Sequence, residues 1–226
     1  MKSHADIKHL LYINLEERQD RNAHVLEQLA SVGFASIAER FNAIKLRHGA
    51  LGCSTSHLKC LQIALSNGWK HVLICEDDIT FLDPQRFVQQ FDKCLRTNDN
   101  WDVIMLAGNN VPPYHPLNDS CVKISRCLTT TGYLVNGHYI PTLIRNIQMG
   151  IQRFMVHPEQ PNLYAIDVYW SSLQLRDNWL LVVPLTVVQQ EGYSDIEKKH
   201  TNYNRLMLDL NKRYLVPKPH VDNNLT

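Results

Sequence analysis

The stretch 71–83 constrains this chain more than any other. Val72, Leu73, Ile74 and Cys75 form an unbroken apolar run with the length and character of a strand buried on both faces. The run ends abruptly in three acids, Glu76, Asp77 and Asp78. A doubly buried strand lies within a sheet covered by helices, so these carboxylates fall at its carboxyl end, where ligands of open α/β sheets collect. Adjacent acids repel one another unless a cation neutralises them, and the hard oxygen-ligand ions Mg²⁺ and Mn²⁺ suit such a set. A solvated acidic turn capping the helix opened by Pro84 is the competing reading.

Around this strand the first 106 residues alternate between strand and helix. Residues 7–14 read as a strand, and 21–32 as a helix with Val25, Leu26, Leu29 and Val32 at helical spacing and Gly33 as its stop. A strand over 34–44 follows, then a small-residue loop over 49–57. That loop feeds a helix capped by Ser54, with Leu58, Leu61 and Leu65 turned inward and Gly68 at its end. Asp83 and Pro84 open a helix to about 96, and 101–106 is a further strand. Parallel strands need crossover helices, so the pattern predicts an α/β fold with a mostly parallel mixed sheet flanked by helices.

The second half is less regular. A polar loop spans 109–120, short strands 121–126 and 129–135, and a helix 139–151. His157 to Pro161 breaks the chain, 167–175 is a short amphipathic helix, and the apolar run 179–188 is interrupted by Pro184. No composition shift or linker marks a boundary, so a single catalytic domain over 1–226 is expected. It divides into halves of about 1–110 and 111–200, with a tail over 201–226.

Composition excludes some partners. A formal net charge of +1 in 226 residues leaves no electrostatic footprint for nucleic acid or a membrane surface. The six cysteines, Cys53, Cys60, Cys75, Cys94, Cys121 and Cys127, contain no CxxC pair and read as free thiols of a reducing compartment. The polar start shows no signal peptide and no apolar run reaches the 18 residues of a membrane span, so a soluble cytoplasmic protein is expected.

Chemistry-bearing residues cluster at the strand ends. Asn14 closes the first strand, and Arg18 and Arg21 lie at i and i+3, on one side of the following helical turn, where two guanidinium groups can meet phosphates or a base edge. The same arginines also read as the start of a charge-balanced, solvated helix. The loop 49–57, with Gly52 and Ser56, offers backbone amides at a helix N-terminus, a site for a diphosphate, although its glycines also suit a plain turn.

Taken in order, Tyr-Ile-Asn-Leu-Glu-Glu-Arg-Gln-Asp-Arg at 12–21, Gly-Ala-Leu-Gly-Cys-Ser-Thr-Ser-His at 49–57 and Leu-Ile-Cys-Glu-Asp-Asp-Ile at 73–79 resemble the signatures of the family 25 glycosyltransferases. That family includes bacterial lipopolysaccharide sugar transferases and collagen hydroxylysine galactosyltransferases. Beyond residue 110 the likeness is thinner, resting on Thr131-Gly-Tyr133, on Asp167 to Trp170 and on 189–196. The resemblance implies a GT-A-like, Rossmann-type domain, a UDP-sugar donor, a glycan or peptide acceptor, and Mn²⁺ or Mg²⁺ held by an Asp-x-Asp-like motif, here Glu76-Asp77-Asp78.

The roles that follow are expectations. Asp78 is the first metal ligand, and Glu76 touches the ribose, the metal or a metal-bound water. Asp77, on the opposite side by strand alternation, braces a helix N-terminus. Gln190, Ser194 and Asp195 are candidates for one more metal or diphosphate contact, with His200 a weaker one. Inverting transfer needs a base for the acceptor hydroxyl, and Asp167 is the candidate, with a plain helix cap as its competing role. Tyr169 and Trp170 fit either an acceptor platform or the core. A catalytically idle nucleotide-sugar-binding module and a Mg²⁺-dependent nucleotidyltransferase stay open as alternatives.

Overall fold

The computed structural model describes residues 1–196 and 198–212. The last part of the expected tail, 213–226, lies outside the described residues.

In chain order the strands are β1 (Leu10–Asn14), β2 (Ala38–Asn42), β3 (His71–Glu76), β4 (Ile79–Phe81), β5 (Val103–Met105), β6 (Asn109–Asn110) and β7 (Tyr114–Pro116). Then follow β8 (Cys121–Ile124), β9 (Cys127–Leu128), β10 (Gly132–Asn136), β11 (Trp179–Val182), β12 (Val187–Gln189), β13 (Gly192–Ser194) and β14 (Lys199–Thr201). The helices are α1 (Gln19–Ser31), α2 (Gly49–Ser66), α3 (Pro84–Thr97), α4 (Ile140–Val156), α5 (Pro161–Tyr164), α6 (Ile166–Tyr169), α7 (Ser171–Arg176) and α8 (Asn204–Leu208).

Eight strands form the central sheet in the order β2-β1-β3-β10-β5-β11-β8-β7. Three neighbouring pairs are parallel and four antiparallel. Strand direction explains that balance: β8 and β10 run against the other six, and each reversed strand sits between two neighbours. The expected α/β class with a mixed sheet is therefore present, and the sheet draws strands from both halves of the chain.

Alternation along the strands sends side chains to two cores. On one face Leu10, Tyr12, Leu73, Cys75 and Leu134 pack with Val25 and Leu29 of α1 and with Phe87 and Phe91 of α3. On the other, Leu11, Ile13, Val72, Ile74, Tyr133 and Val135 pack with Leu58 and Leu61 of α2 and with Leu143, Ile144 and Ile147 of α4. Val72 to Cys75 are fully buried, as a strand covered by helices on both sides requires.

Two sequence expectations are corrected. Helix α2 begins at Gly49 with His48 as its N-cap, so Ser54 is an interior residue rather than a cap. The hydroxyls of Ser54, Thr55 and Ser56 bond back to the carbonyls of Ala50, Leu51 and Gly52, so they are satisfied within the helix. The expected helix over 167–175 is two short ones, α6 and α7, meeting at Trp170.

Candidate active site

β1 and β3 are parallel neighbours with Ile13 opposite Glu76, so Asn14 and the three acids emerge together at the carboxyl ends of adjacent strands. The buried Asn14 donates from Nδ2 to Asp77 Oδ2 at 2.7 Å and to the Arg18 carbonyl at 3.1 Å. Arg21, in the first turn of α1, donates to Asp77 Oδ1 at 3.1 Å and lies 3.7 Å from Asp78 Oδ2. Asp77 is thereby tied to the start of α1. Burial pushes its carboxyl up, against the opposing pull of Asn14 and Arg21.

Asp78 has a different environment. Its carbonyl accepts from the Gln190 amide at 2.6 Å, and its Oδ2 from Gln189 Nε2 at 3.4 Å. Its Oδ1 is buried and has no hydrogen-bond partner among the described residues. Burial first, then the charge of Glu76, pushes this carboxyl well above its ordinary range, and Arg21 offsets only part of that. A desolvated carboxylate oxygen without a donor is costly, and a hard divalent cation is the ligand that would satisfy it. The residues present therefore fit a metal at Asp78.

Glu76 is satisfied by protein. Its Oε1 accepts from Thr130 Oγ1 at 2.7 Å, pairs with His57 Nε2 at 3.2 Å and accepts from Cys53 Sγ at 3.5 Å. Burial raises its carboxyl, but the bond to His57 and its electrostatic pull, followed by the bonds from Thr130 and Cys53, more than offset this and hold it below the usual range. Ligand atoms of Cys53, His57 and Glu76 lie within 4.8 Å of one another, a mixed sulfur, nitrogen and oxygen set unlike the all-oxygen shells of Mg²⁺.

Asp167 lies in the first turn of α6, whose N-cap position is Ala165. Its Oδ2 accepts from the Thr129 amide at 3.0 Å. Thr129 has φ of 79°, a conformation a β-branched residue adopts only under constraint. Burial raises the Asp167 carboxyl, while the Thr129 amide opposes the shift and the charge of Glu76 adds to it. The run Thr129 to Thr131 thus joins the two acids: Thr129 holds Asp167, Thr130 holds Glu76, and the Thr131 carbonyl accepts from the Glu76 amide.

A hairpin of β13 and β14 covers the arginines. Arg18 reaches Asp195 at 2.5 Å, and Arg21 donates to the Tyr193 carbonyl at 2.9 Å. A Cβ on Gly49 would stand 3.1 Å from Ile196 Cα, so the hairpin also lies against the start of α2. Ser194 sits on β13 opposite Lys199, and His200 on β14 opposite Tyr193, with ring centroids 6.1 Å apart.

Other candidates are placed in packing. A Cβ on Gly52 would fall 2.5 Å from the Ile44 carbonyl oxygen. Ser56 accepts from the Ile44 amide at 2.8 Å, so both residues dock α2 against that segment. Trp170 is fully buried between Tyr133 and Trp179, and the Tyr169 ring packs on Gly150, where a Cβ would stand 2.9 Å away. Sequence reasoning missed Cys53, His57, Thr129 and Thr130 as neighbours of the acids. The i, i+4 spacing of Cys53 and His57 was the available signal once the segment is helical. It also named Gln190 where the side chain at Asp78 is that of Gln189, and pairing of Gln189 with Ile79 across β12 and β4 makes the difference.

Residues 34–132 match the family model described as glycosyltransferase family 25 (LPS biosynthesis protein). That span holds α2 and the three acids but neither Arg21 nor Asp167. No curated protein matches the chain. Among solved structures, a mannose-1-phosphate geranyltransferase from Thermus thermophilus is similar at 11% identity and TM-score 0.47, over 80% of this chain and 74% of the other. A glycosyltransferase involved in glycosylation of the major capsid of PBCV-1 gives 10% identity and TM-score 0.40, over 77% and 92%. A Drosophila galactosyltransferase in complex with manganese, UDP-Gal and xylobiose gives 16% and 0.34, over 61% and 52%. At these identities and scores the structural likenesses carry no functional weight. Among the described residues, no helix is long and apolar enough to cross a membrane.

Proposed function

From the match of residues 34–132 to the glycosyltransferase family 25 model, we propose that the chain is a glycosyltransferase that transfers a hexose from a UDP-sugar to a hydroxyl of a glycan or hydroxylysine-type acceptor, with inversion and with Mn²⁺ or Mg²⁺ at Asp78. The observation that carries the reading is the buried, unpartnered Oδ1 of Asp78 at the carboxyl end of a central strand. A cation bound there would spread the charge that develops on the leaving diphosphate.

The chain's own residues take the remaining roles. Arg21 neutralises part of the acidic floor and can exchange its Tyr193 carbonyl bond for a phosphate oxygen. Arg18 stands in the same position toward Asp195. Asn14 and Asp77 hold the start of α1 in place, and Glu76 faces the donor's ribose or the cation's water. Ser194 and Asp195 come with the hairpin, and the Gln190 amide with its Gln189 neighbour supports Asp78. Asp167 takes the acceptor proton: an ordinary carboxylate is a weak base, and burial raises this one toward usefulness.

Product analysis tests the reading. With UDP-hexoses, an acceptor glycan and Mn²⁺, UDP is the expected product, and EDTA should abolish its release. Pyrophosphate release would identify a nucleotidyltransferase, and tight UDP binding without turnover an idle module.

A further inference from the structure

We infer that His57 is a positioning residue for Glu76, acting as the middle of a buried chain that runs from Tyr133 through the imidazole to the carboxylate. The inference rests on the reading above, in which Glu76 faces the donor.

His57 is fully buried on α2, and each ring nitrogen has one partner. Nδ1 lies 2.8 Å from Tyr133 Oη, and Nε2 lies 3.2 Å from Glu76 Oε1. An ionised carboxylate only accepts, so Nε2 carries a proton and donates to Glu76. Nδ1 pairs with the Tyr133 hydroxyl, which can serve as donor or acceptor. Each ring nitrogen thus has a partner, and the ring bridges the phenol and the carboxylate.

The far end of the chain is anchored. Tyr133 is fully buried on β10, opposite Ile74 of β3, two residues before Glu76. Trp170 packs edge-on against the Tyr133 ring at 5.3 Å, and Trp170 follows Asp167 by three residues. The imidazole therefore ties Glu76 to rigid elements of the sheet and to the segment that bears Asp167. His57, Thr130 and Cys53 all bind the same oxygen, Oε1, and Oε2 is used in none of these bonds. Three donors on one oxygen fix the rotation of the carboxylate, and the ring is the one among them locked from behind.

The test is a double-mutant cycle between His57→Leu and Glu76→Gln, read by UDP affinity with Mn²⁺ in calorimetry and by UDP release, with melting temperature as control. His57→Leu keeps a buried apolar side chain and removes the donor. It should weaken UDP binding or turnover about tenfold or more in the wild-type background, as expected for losing a hydrogen bond to a charged group. In the Glu76→Gln background the same change should cost less than about twofold. His57→Gln, which can present an amide N–H near the Nε2 position, should recover much of the loss. Should His57→Leu fail to fold, Tyr133→Phe replaces it in the same cycle, expected to act in the same direction by a smaller factor. Additive losses with an impaired Glu76→Gln would overturn the role of His57 and leave the reading of Glu76 intact. Wild-type behaviour of Glu76→Gln alone would instead remove the reading of Glu76, and the inference with it.

Discussion

The strand-end acids, a floor, and the β13–β14 hairpin joined to them through Arg21, a roof, are built in opposite ways. The floor, Asn14 with Glu76 to Asp78, hangs on paired strands inside the sheet, and its side chains are largely buried and bound by neighbours fixed in the backbone. The roof, the β13–β14 hairpin, pairs with no other strand among the described residues, exposes Tyr193 and Ile196, and meets the floor through the Arg21 guanidinium, while Arg18 ties Asp195 to the start of α1. Groups that stabilise developing charge gain from being preorganised, whereas a segment over a ligand must yield to let it pass. In the proposed function, chemistry therefore belongs to the floor and its tethers, and retention of the donor to the roof.

Asp167 belongs with the floor because Thr129 to Thr131 tie it to Glu76. Asp167→Asn should lower transfer to the true acceptor about a hundredfold or more while leaving UDP affinity near normal, since a general base contributes roughly 10² to 10⁴. Transfer above about a tenth of the wild-type rate would leave Asp167 without a role as base. Its stability effect has a definite sign. Burial raises the folded-state carboxyl above its unfolded value, so ionisation removes stability as pH rises through that interval. Asparagine mimics the protonated form and can still accept from Thr129, so the two melting temperatures should coincide below about pH 4 and the variant's should be the higher at pH 7. A variant less stable at pH 7 would contradict the buried placement.

Arg21 spans floor and roof, so its loss should fall between the extremes. Arg21→Ala should weaken UDP binding by about 1.5 to 3 kcal/mol if one charge-assisted hydrogen bond is lost. A change within error would return this side chain to a role in holding Asp77 alone. The smallest effect is expected at the roof. Arg18 and Asp195 are partly exposed, and such pairs contribute about 0 to 1 kcal/mol. Asp195→Asn should leave melting unchanged and alter donor KM by less than about threefold; a loss as large as that of Arg21→Ala would erase the distinction.

The floor was legible in sequence because its signals are local: an apolar run followed at once by acids, and arginines three apart after a strand. The tethers were not, because they join residues far apart in the chain. Thr130 reaches Glu76 across 54 positions, and Thr129 reaches Asp167 across 38. The start of α2 was misread since glycine, serine and threonine favour turns by local propensity, and the packing of Gly52 and Ser56 on Ile44 is a tertiary contact that local propensity does not reveal. Gln189 and Gln190 show the limit of register: alternation sends adjacent side chains to opposite sides, and only the pairing of β12 with β4 decides which one meets Asp78.

The central claim is that Asp78, through its unpartnered Oδ1, is the floor's cation ligand. Calorimetric titration of UDP in the presence and absence of Mn²⁺, for the wild type and for Asp78→Asn, tests it most directly. The account predicts that Mn²⁺ strengthens UDP binding to the wild type at least tenfold and does not strengthen binding to Asp78→Asn, whose melting temperature stays at or above the wild-type value because a buried charge that Arg21 only partly offsets has been removed. An equal gain from Mn²⁺ in both proteins would contradict it.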